Sequence, residues 1–392
     1  MWWVLLFCQV QTGADELAQS GFERLKGLKY GLICNHTAVD RNGTHLLRLL
    51  EQADCPPQII FTPEHGFSGL ADRPIEGQQT SDPIQLVSLY GKEKKPSVEQ
   101  LAGLDCLVFD IQDIGTRFYT YVSTMSQCLE AAAEAKIPMI ILDRPNPLGG
   151  LLLDGPLPDP ERCGAFICYL PIPLVHGMTM GELARFHNAT LPQPAQLEVV
   201  TLAHWKREML WDSCGLPWVN PSPNMRSFEE ILLYPIIGCV EGIKDVSVGR
   251  GTDRPFEYFG SHHLDPERFL KDWKITRFGV SVSTTSFSVD PVNAEGQPSS
   301  YPYAGTKLNG LRWVINDRAH YDPIAAAGQL FQTLAKQIPP DQIQATVVRW
   351  WGDSASLSQI LAGQSPATVR QSWQKNKDYQ SFLAQRKAAL LY

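Results

Sequence analysis

Asp105-Cys106-Leu107-Val108-Phe109-Asp110-Ile111-Gln112-Asp113 is the stretch whose reading decides the fold. Its centre is apolar at every position rather than at every second one. A strand of that kind is covered on both faces, as in the interior of a parallel sheet. A helical stretch follows from about Tyr119 to Lys136. A second apolar run, Pro138-Met139-Ile140-Ile141-Leu142, comes next. Upstream the same rhythm holds. Lys29 to Cys34 reads as a strand, Leu46 to Ala53 as a helix, and Gln58 to Phe61 and Leu86 to Tyr90 as two further short strands. This alternation predicts an α/β fold with a mostly parallel sheet and crossover helices.

Downstream the texture changes in steps. Pro145 to Pro160 is rich in Gly and Pro and is read as irregular. Thr179-Met180-Gly181-Glu182 and Ser227-Phe228-Glu229-Glu230 are capping-box patterns that open helices. From Tyr234 to Arg254 glycines are frequent and regular periods are few. Alternating strands follow, such as Phe278 to Phe287, and the remainder reads as helical. Ser365-Pro366 opens a last helix running toward Leu391. A chain of 392 residues favours two domains. The boundary is placed near 238, giving domains 1–238 and 239–392.

The net charge of −7 carries no Lys/Arg block that would neutralise a phosphate backbone, so nucleic acid is not an expected partner. The nine cysteines lack a C-x-x-C pair. Cys34 and Cys106 lie in apolar runs as small hydrophobes, usage that favours a reducing compartment. Trp2 to Phe7 is apolar and ends at Cys8, but it is too short for a complete signal peptide and is read as an edge strand. No stretch approaches the roughly 20 apolar residues of a membrane span. The N-x-[ST] sequons at Asn35, Asn42 and Asn188 are short enough to arise by chance.

Open α/β sheets bind ligands beyond the carboxyl ends of their strands. Four strand endings here are dense in polar groups: Asn35-His36-Thr37, Thr62-Pro63-Glu64-His65-Gly66-Phe67, Asp110 to Tyr119, and Asp143-Arg144-Pro145-Asn146-Pro147. No P-loop, dinucleotide fingerprint or G-x-S-x-G elbow is present, so nucleotide binding and α/β-hydrolase chemistry are not expected. Carboxylates remain as the chemical actors. Cleaving a glycosidic bond needs a protonated acid at the leaving oxygen and a second group at the oxocarbenium-like centre. Glu64, held in a tight turn beside His65, is the candidate acid; the bland alternative is a helix cap or an ion pair. Asp110, Asp113 and Asp143 compete for the second role, and Asp113 is carried forward as the catalytic candidate.

Asn35, His36, Asp110, Gln112, Asp143, Arg144 and Asn146 are substrate-binding candidates from the strand ends. Arg117 suits bidentate capture of a carboxylate, and Tyr119 suits stacking on a sugar. Further on, His176 precedes a helix N-terminus, Asn224 lies in a proline-rigid turn, and Glu241 and Arg250 fall near the proposed domain seam, where polar residues line clefts. His36, His65 and His176 have no close ligand spacing, so no metal is expected, and no cofactor is called for.

Taken in order, Cys34-Asn35-His36-Thr37, Pro63-Glu64-His65-Gly66-Phe67, Val87-Ser88-Leu89-Tyr90-Gly91, Phe109 to Asp113, Gly115 to Tyr121, Asp143 to Pro147, His176 to Thr179, Pro221 to Met225 and Gly249-Arg250-Gly251-Thr252 resemble the bacterial exo-β-N-acetylmuramidases. That is a glycoside hydrolase family long labelled only as a domain of unknown function. The resemblance runs from about Val10 to Tyr392. It implies a Rossmann-like catalytic domain, a smaller α+β C-terminal domain completing the cleft, and release of terminal N-acetylmuramic acid from non-reducing ends of peptidoglycan fragments. It maps the family's glutamate onto Glu64 and its histidine onto His65. The lactyl carboxylate of muramic acid gives Arg117, Arg144 or Arg250 a duty. The family acts outside the cytoplasm; a truncated start would reconcile this with the short N-terminal run.

Three places depart from the family pattern. A Thr-Asn-His-Thr element reads Cys34-Asn35-His36-Thr37. The stretch after the Pro-Glu-His-Gly motif reads Ala71-Asp72-Arg73-Pro74-Ile75-Glu76-Gly77. A Glu-Gly-Thr-Asn element reads Glu241-Gly242-Ile243-Lys244. Two rival readings stand beside the hydrolase: a non-catalytic binder of muropeptide sugars, and a metal-dependent amidase acting on the peptide stem.

Overall fold

The computed structural model describes residues 9–70, 84–273, 278–293 and 295–392. Six strands form one sheet: β1 (Tyr30–Cys34), β2 (Ile59–Thr62), β3 (Gln85–Ser88), β4 (Cys106–Asp110), β5 (Met139–Leu142) and β6 (Leu197–Val200). Their order is β3-β2-β1-β4-β5-β6, and every pairing is parallel. This is the doubly wound Rossmann order, with its switch point between β1 and β4. The unbroken apolar runs have their expected cause, since β1, β2, β4 and β5 are buried at every residue. Ile33, Phe61, Phe109 and Ile141 face one core with the helix Tyr121–Ala135. Leu32, Ile60, Val108 and Ile140 face the other with Leu46 and Leu50. Each such side chain contributes roughly 1.5–3 kcal/mol by leaving water.

Two elements were silent in the sequence. The edge strand β6 is half-exposed, so its apolar pattern is broken by Glu198. The helix Gly13–Gln19 is short and opens with a Thr12–Asp15 capping box. Its Gly13 lies so close to the ends of β5 and β6 that an added Cβ would stand 2.4 Å from the Asp143 amide nitrogen. Both capping boxes read from sequence form: Thr179 with Glu182, and Ser227 with Glu230, each close reciprocally.

After the helix Phe228–Ile237 a smaller antiparallel sheet forms in the order β7-β9-β8, from β7 (Tyr258–Gly260), β8 (Val280–Ser288) and β9 (Lys307–Ile315). Helices Phe228–Ile237 and Pro266–Trp273 pack on this sheet, and Pro323–Leu334 packs against both of them, followed by Pro340–Trp351 and Ser354–Leu361. The single last helix expected from Ser365 is instead two, Pro366–Gln374 and Lys377–Ala389. Asn376 breaks the run because its side chain caps the second helix at the Asp378 amide. The chain end returns to the parallel sheet, where the Tyr392 hydroxyl donates to Asp143 across 2.7 Å. Among the described residues no helix is long and apolar enough to cross a membrane. Trp2 to Phe7 and the divergent stretch Asp72 to Gly77 lie outside the described residues.

Candidate active site

Because the strands are parallel, the four polar endings share one edge of the sheet. Beyond β2 the backbone turns sharply, with Gly66 N donating to Pro63 O at 3.0 Å. His65 and Gly66 both adopt left-handed backbone, φ 71° and 70°. For a histidine this costs on the order of 1 kcal/mol, and surrounding contacts must hold it. They do. His36 N donates to Phe67 O at 2.8 Å, and the His36 ring meets Asn220 O at 2.5 Å. Gly69 passes so near that ring that a Cβ there would lie 1.8 Å from it.

The turn presents Glu64, half-buried, to Thr120, whose hydroxyl donates to Glu64 Oε2 at 2.6 Å. Thr120 is the N-cap of the helix Tyr121–Ala135, yet its side chain caps no amide of that helix. Its hydroxyl serves the carboxylate instead.

Glu64 and His65 line both lobes of a cleft, of about 190 and 330 Å³, between the two sheets' domains. Glu241 and Arg250 are the other two residues common to both lobes. Glu241 follows the short 3-10 turn Gly238–Val240 and is ion-paired with Arg250. The Arg250 guanidinium lies 4.5 Å over the Tyr301 ring. The Tyr301 hydroxyl accepts from Asn224 Nδ2 at 2.7 Å, while Asn224 Oδ1 accepts from Gly251 N at 3.2 Å. Tyr119, Tyr234, Phe256 and Trp350 complete the smaller lobe. Gly242 admits Trp350, since a Cβ there would come within 2.1 Å of the indole.

Residues 30–229 match the family model for the N-terminal part of the exo-β-N-acetylmuramidase NamZ, and residues 232–392 match the model for its C-terminal part. The chain belongs to the exo-β-N-acetylmuramidase family. Among curated proteins it is 37% identical over 396 residues to a peptidoglycan β-N-acetylmuramidase from Bacillus subtilis, covering 98% of this chain and 92% of that one. Among solved structures it resembles two DUF1343 family proteins from Bacteroides fragilis, each 29% identical, with TM-scores of 0.84 and 0.77. Each likeness covers 98% of this chain and 99% of the other.

Of the residues singled out from sequence, Glu64, His65, Tyr119, Asn224, Glu241 and Arg250 meet in this muramidase-family cleft. The others are not among the residues lining it. The switch point between β1 and β4, which in dinucleotide folds receives a ligand, is filled by the chain itself. Arg144 forms a buried ion pair with Asp110 and also donates to Val39 O; it does not pair with Asp143. Asn35 Oδ1 accepts from both the amide and the hydroxyl of Thr37, and Asn35 Nδ2 donates to the Tyr121 hydroxyl. Asp143 is fully buried and accepts from Thr179, Gly181 and Tyr392. Burial raises its carboxyl to about 6 despite those donors. Gln112 and Asn146 donate to the carbonyls of Pro145 and Met178.

Arg117 is 1% exposed, and its guanidinium donates to four carbonyls, those of Pro156, Ile172, Trp350 and Trp351. Arg117 and Arg144, read from sequence as carboxylate receptors, both donate to protein acceptors, and among the described arginines Arg250 lines the cleft. Asp113, read from sequence as the second carboxylate, is buried and is not among the residues lining either lobe. It is buried against the Gly115 amide at 2.8 Å and lies 3.8 Å from His176 Nε2. Burial raises Asp113 to about 7 and lowers His176 to about 3. Met178 N donates to His176 Nδ1, which puts the neutral ring's proton on Nε2, facing Asp113.

Thr120, Tyr301 and Trp350 were missed as site residues. Thr120 is adjacent to Tyr119 in a motif already read, but its use depends on a cap hydroxyl being free. Tyr301 reaches the cleft from the connection between β8 and β9 and Trp350 from the helix Pro340–Trp351, with no local motif to mark them. Among the described residues no three His, Cys, Asp or Glu side chains converge as a metal site.

Proposed function

We propose that this protein is an exo-acting glycosidase that releases terminal N-acetylmuramic acid from the non-reducing ends of peptidoglycan fragments, with Glu64 as general acid. The observation that carries the reading is that Glu64, fixed by a strained turn and by Thr120, faces the same cleft as Glu241. Glycosidase chemistry asks for two carboxyl groups across one bond. Glu64 protonates the leaving glycosidic oxygen. Glu241 takes the second carboxylate role at the anomeric centre, in place of Asp113. Arg250, beside Glu241, receives the lactyl carboxylate that distinguishes muramic acid from glucosamine. The family membership and the name of the Bacillus subtilis relative support the same substrate class.

The test is turnover of a chromogenic aryl β-N-acetylmuraminide by the wild type and by Glu64→Gln. Loss of the acid from a positioned site is expected to lower kcat by roughly 10²–10⁴-fold. Wild-type rates in the Gln variant would sink the assignment. Tight sugar binding without product in the wild type would instead favour the non-catalytic binder.

A further inference from the structure

Away from the cleft, a second hollow of about 380 Å³ lies between residues 156–160 and the last two helices, Pro366–Gln374 and Lys377–Ala389. It shares no lining residue with either lobe of the cleft. The two sites meet across one short segment. Trp350 lines the smaller lobe and Asp353 lines the hollow, while Gly352 O between them accepts from Asp159 N at 2.9 Å. The walls of the hollow are largely apolar, with Pro156, Pro158 and Pro171 beside the aromatic Trp373 and Tyr379. Its charged side chains have one sign: Asp159, Asp353 and Asp378 line it, and no Lys, Arg or His is among its described lining residues. Arg162 and Ser354 both donate to Asp159 Oδ2, the arginine at 3.2 Å. Among the described residues Asp353 and Asp378 form no ion pair. Burial and the neighbouring Asp159 push the Asp353 carboxyl above its ordinary range. Tyr379 is 4% exposed, and its hydroxyl makes no hydrogen bond among the described residues. Arg370, whose charge acts on that hydroxyl, is paired with Asp154 and Asp322 at 2.7 and 2.5 Å.

We infer that this hollow binds an ammonium group carried on an apolar stem, as on a lysine side chain or a free diamine. The inference is independent of the glycosidase reading. Carboxylates gathered beside apolar walls are costly until a cation joins them. Asp353 and Asp378 supply the charge that such a cation meets. Aromatic rings attract a cation at their faces, and prolines cover the methylene stem behind it. The Tyr379 hydroxyl is left with acceptor capacity that an ammonium, with its three donors, can use. The same three carboxylates repel an anion, and a neutral occupant would leave them unpaired.

Titration calorimetry of the full chain with N-acetyl-L-lysine methylamide, with cadaverine and with hexanoate tests the site. One amine per chain is expected to bind, at least ~10-fold tighter than hexanoate. Binding of both amines would show that the ammonium and its stem suffice. Binding of one alone would support the site and name its source, a peptide side chain or a free diamine. Saturation by neither amine, or affinity no better than that of hexanoate, would overturn the proposal. Two variants then locate the binding. The double substitution Asp353→Asn with Asp378→Asn removes two charges, and Asn at 353 still caps the helix Ser354–Leu361. Tyr379→Phe removes only the unpartnered hydroxyl. Amine affinity is expected to fall roughly 10-fold in the double variant and at least ~3-fold in the Phe variant. Wild-type amine affinity in the double variant would place the binding elsewhere on the surface and overturn the site.

Discussion

Thr120 Oγ1 and Glu64 Oε2 stand 2.6 Å apart, a hydroxyl-to-carboxylate hydrogen bond that joins the ending of β2 to the helix after β4. Neither group is held this way by its own element. The helix forgoes a side-chain cap, worth about 1 kcal/mol, at this position. The carboxylate gains one fixed rotamer at the cleft.

Thr120→Val keeps the shape and removes the donor. With Glu64 carrying the proton it delivers, this is a hydrogen bond between neutral groups, worth roughly 0.5–1.5 kcal/mol, so kcat on the aryl muraminide is expected to fall about 2–10-fold. KM should change little, because ground-state sugar contacts remain, and Thr120→Ser should recover most of the rate. An unchanged kcat in the Val variant would remove Thr120 from the positioning of Glu64.

Arg250 lines both lobes, paired with Glu241 and stacked on Tyr301. Arg250→Met takes away the partner of a substrate carboxylate, a change worth about 2–5 kcal/mol when the pair is desolvated. The expected outcome is a fall of at least ~30-fold in kcat/KM on the muraminide. The matching N-acetylglucosaminide, which lacks the lactyl group, should lose much less. Parallel losses on both sugars would show that Arg250 acts through Glu241 alone.

The sheet was legible because burial on both faces leaves an unbroken apolar run, and β1, β2, β4 and β5 are all such strands. The half-exposed β6 and the short helix Gly13–Gln19 were not, since neither has a long periodic signal. At the site, Glu64 was legible from its turn: Pro63 and Gly66 bracket it. Asp110, Asp113, Asp143, Arg117 and Arg144 do not line either lobe, and a polar strand ending looks alike whether it faces a cleft or packs beneath one. Only three-dimensional closure separates them. The C-terminal chain returns over the sheet edge, giving Arg117 the carbonyls of Trp350 and Trp351 and giving Asp143 the hydroxyl of Tyr392.

Arg117 therefore predicts a stability effect. Its side chain ties Pro156 and Ile172 to Trp350 and Trp351. Arg117→Met leaves four carbonyls without their donor in a buried place, a loss of roughly 3 kcal/mol or more. Arg117→Lys is expected to recover only part, since an ammonium lacks the planar fork that reaches both sides. Denaturant unfolding measures this. Wild-type stability in the Met variant would contradict the clamp.

Asp113 and His176 set a pH dependence of stability. Between about pH 3 and pH 7 the pair is neutral on both sides, with Asp113 protonated and His176 uncharged. For Asp113 the folded value lies above the ordinary 3.8. The native state then binds more protons than the unfolded state from about pH 4 to pH 7, and its stability falls as pH rises through that window. His176 has the opposite sign. Its folded value lies below the ordinary 6.5, so it costs stability as pH falls below about 6.5. Asp113→Asn removes the first effect and keeps the second. The variant is expected to gain on the wild type as pH is raised from 4 to 8. The gain is bounded at roughly 4 kcal/mol by the displacement from 3.8 to about 7. Unfolding midpoints of both proteins across that range measure the difference. A difference independent of pH would mean that Asp113 is ionised in the fold at neutral pH and below, contrary to its burial.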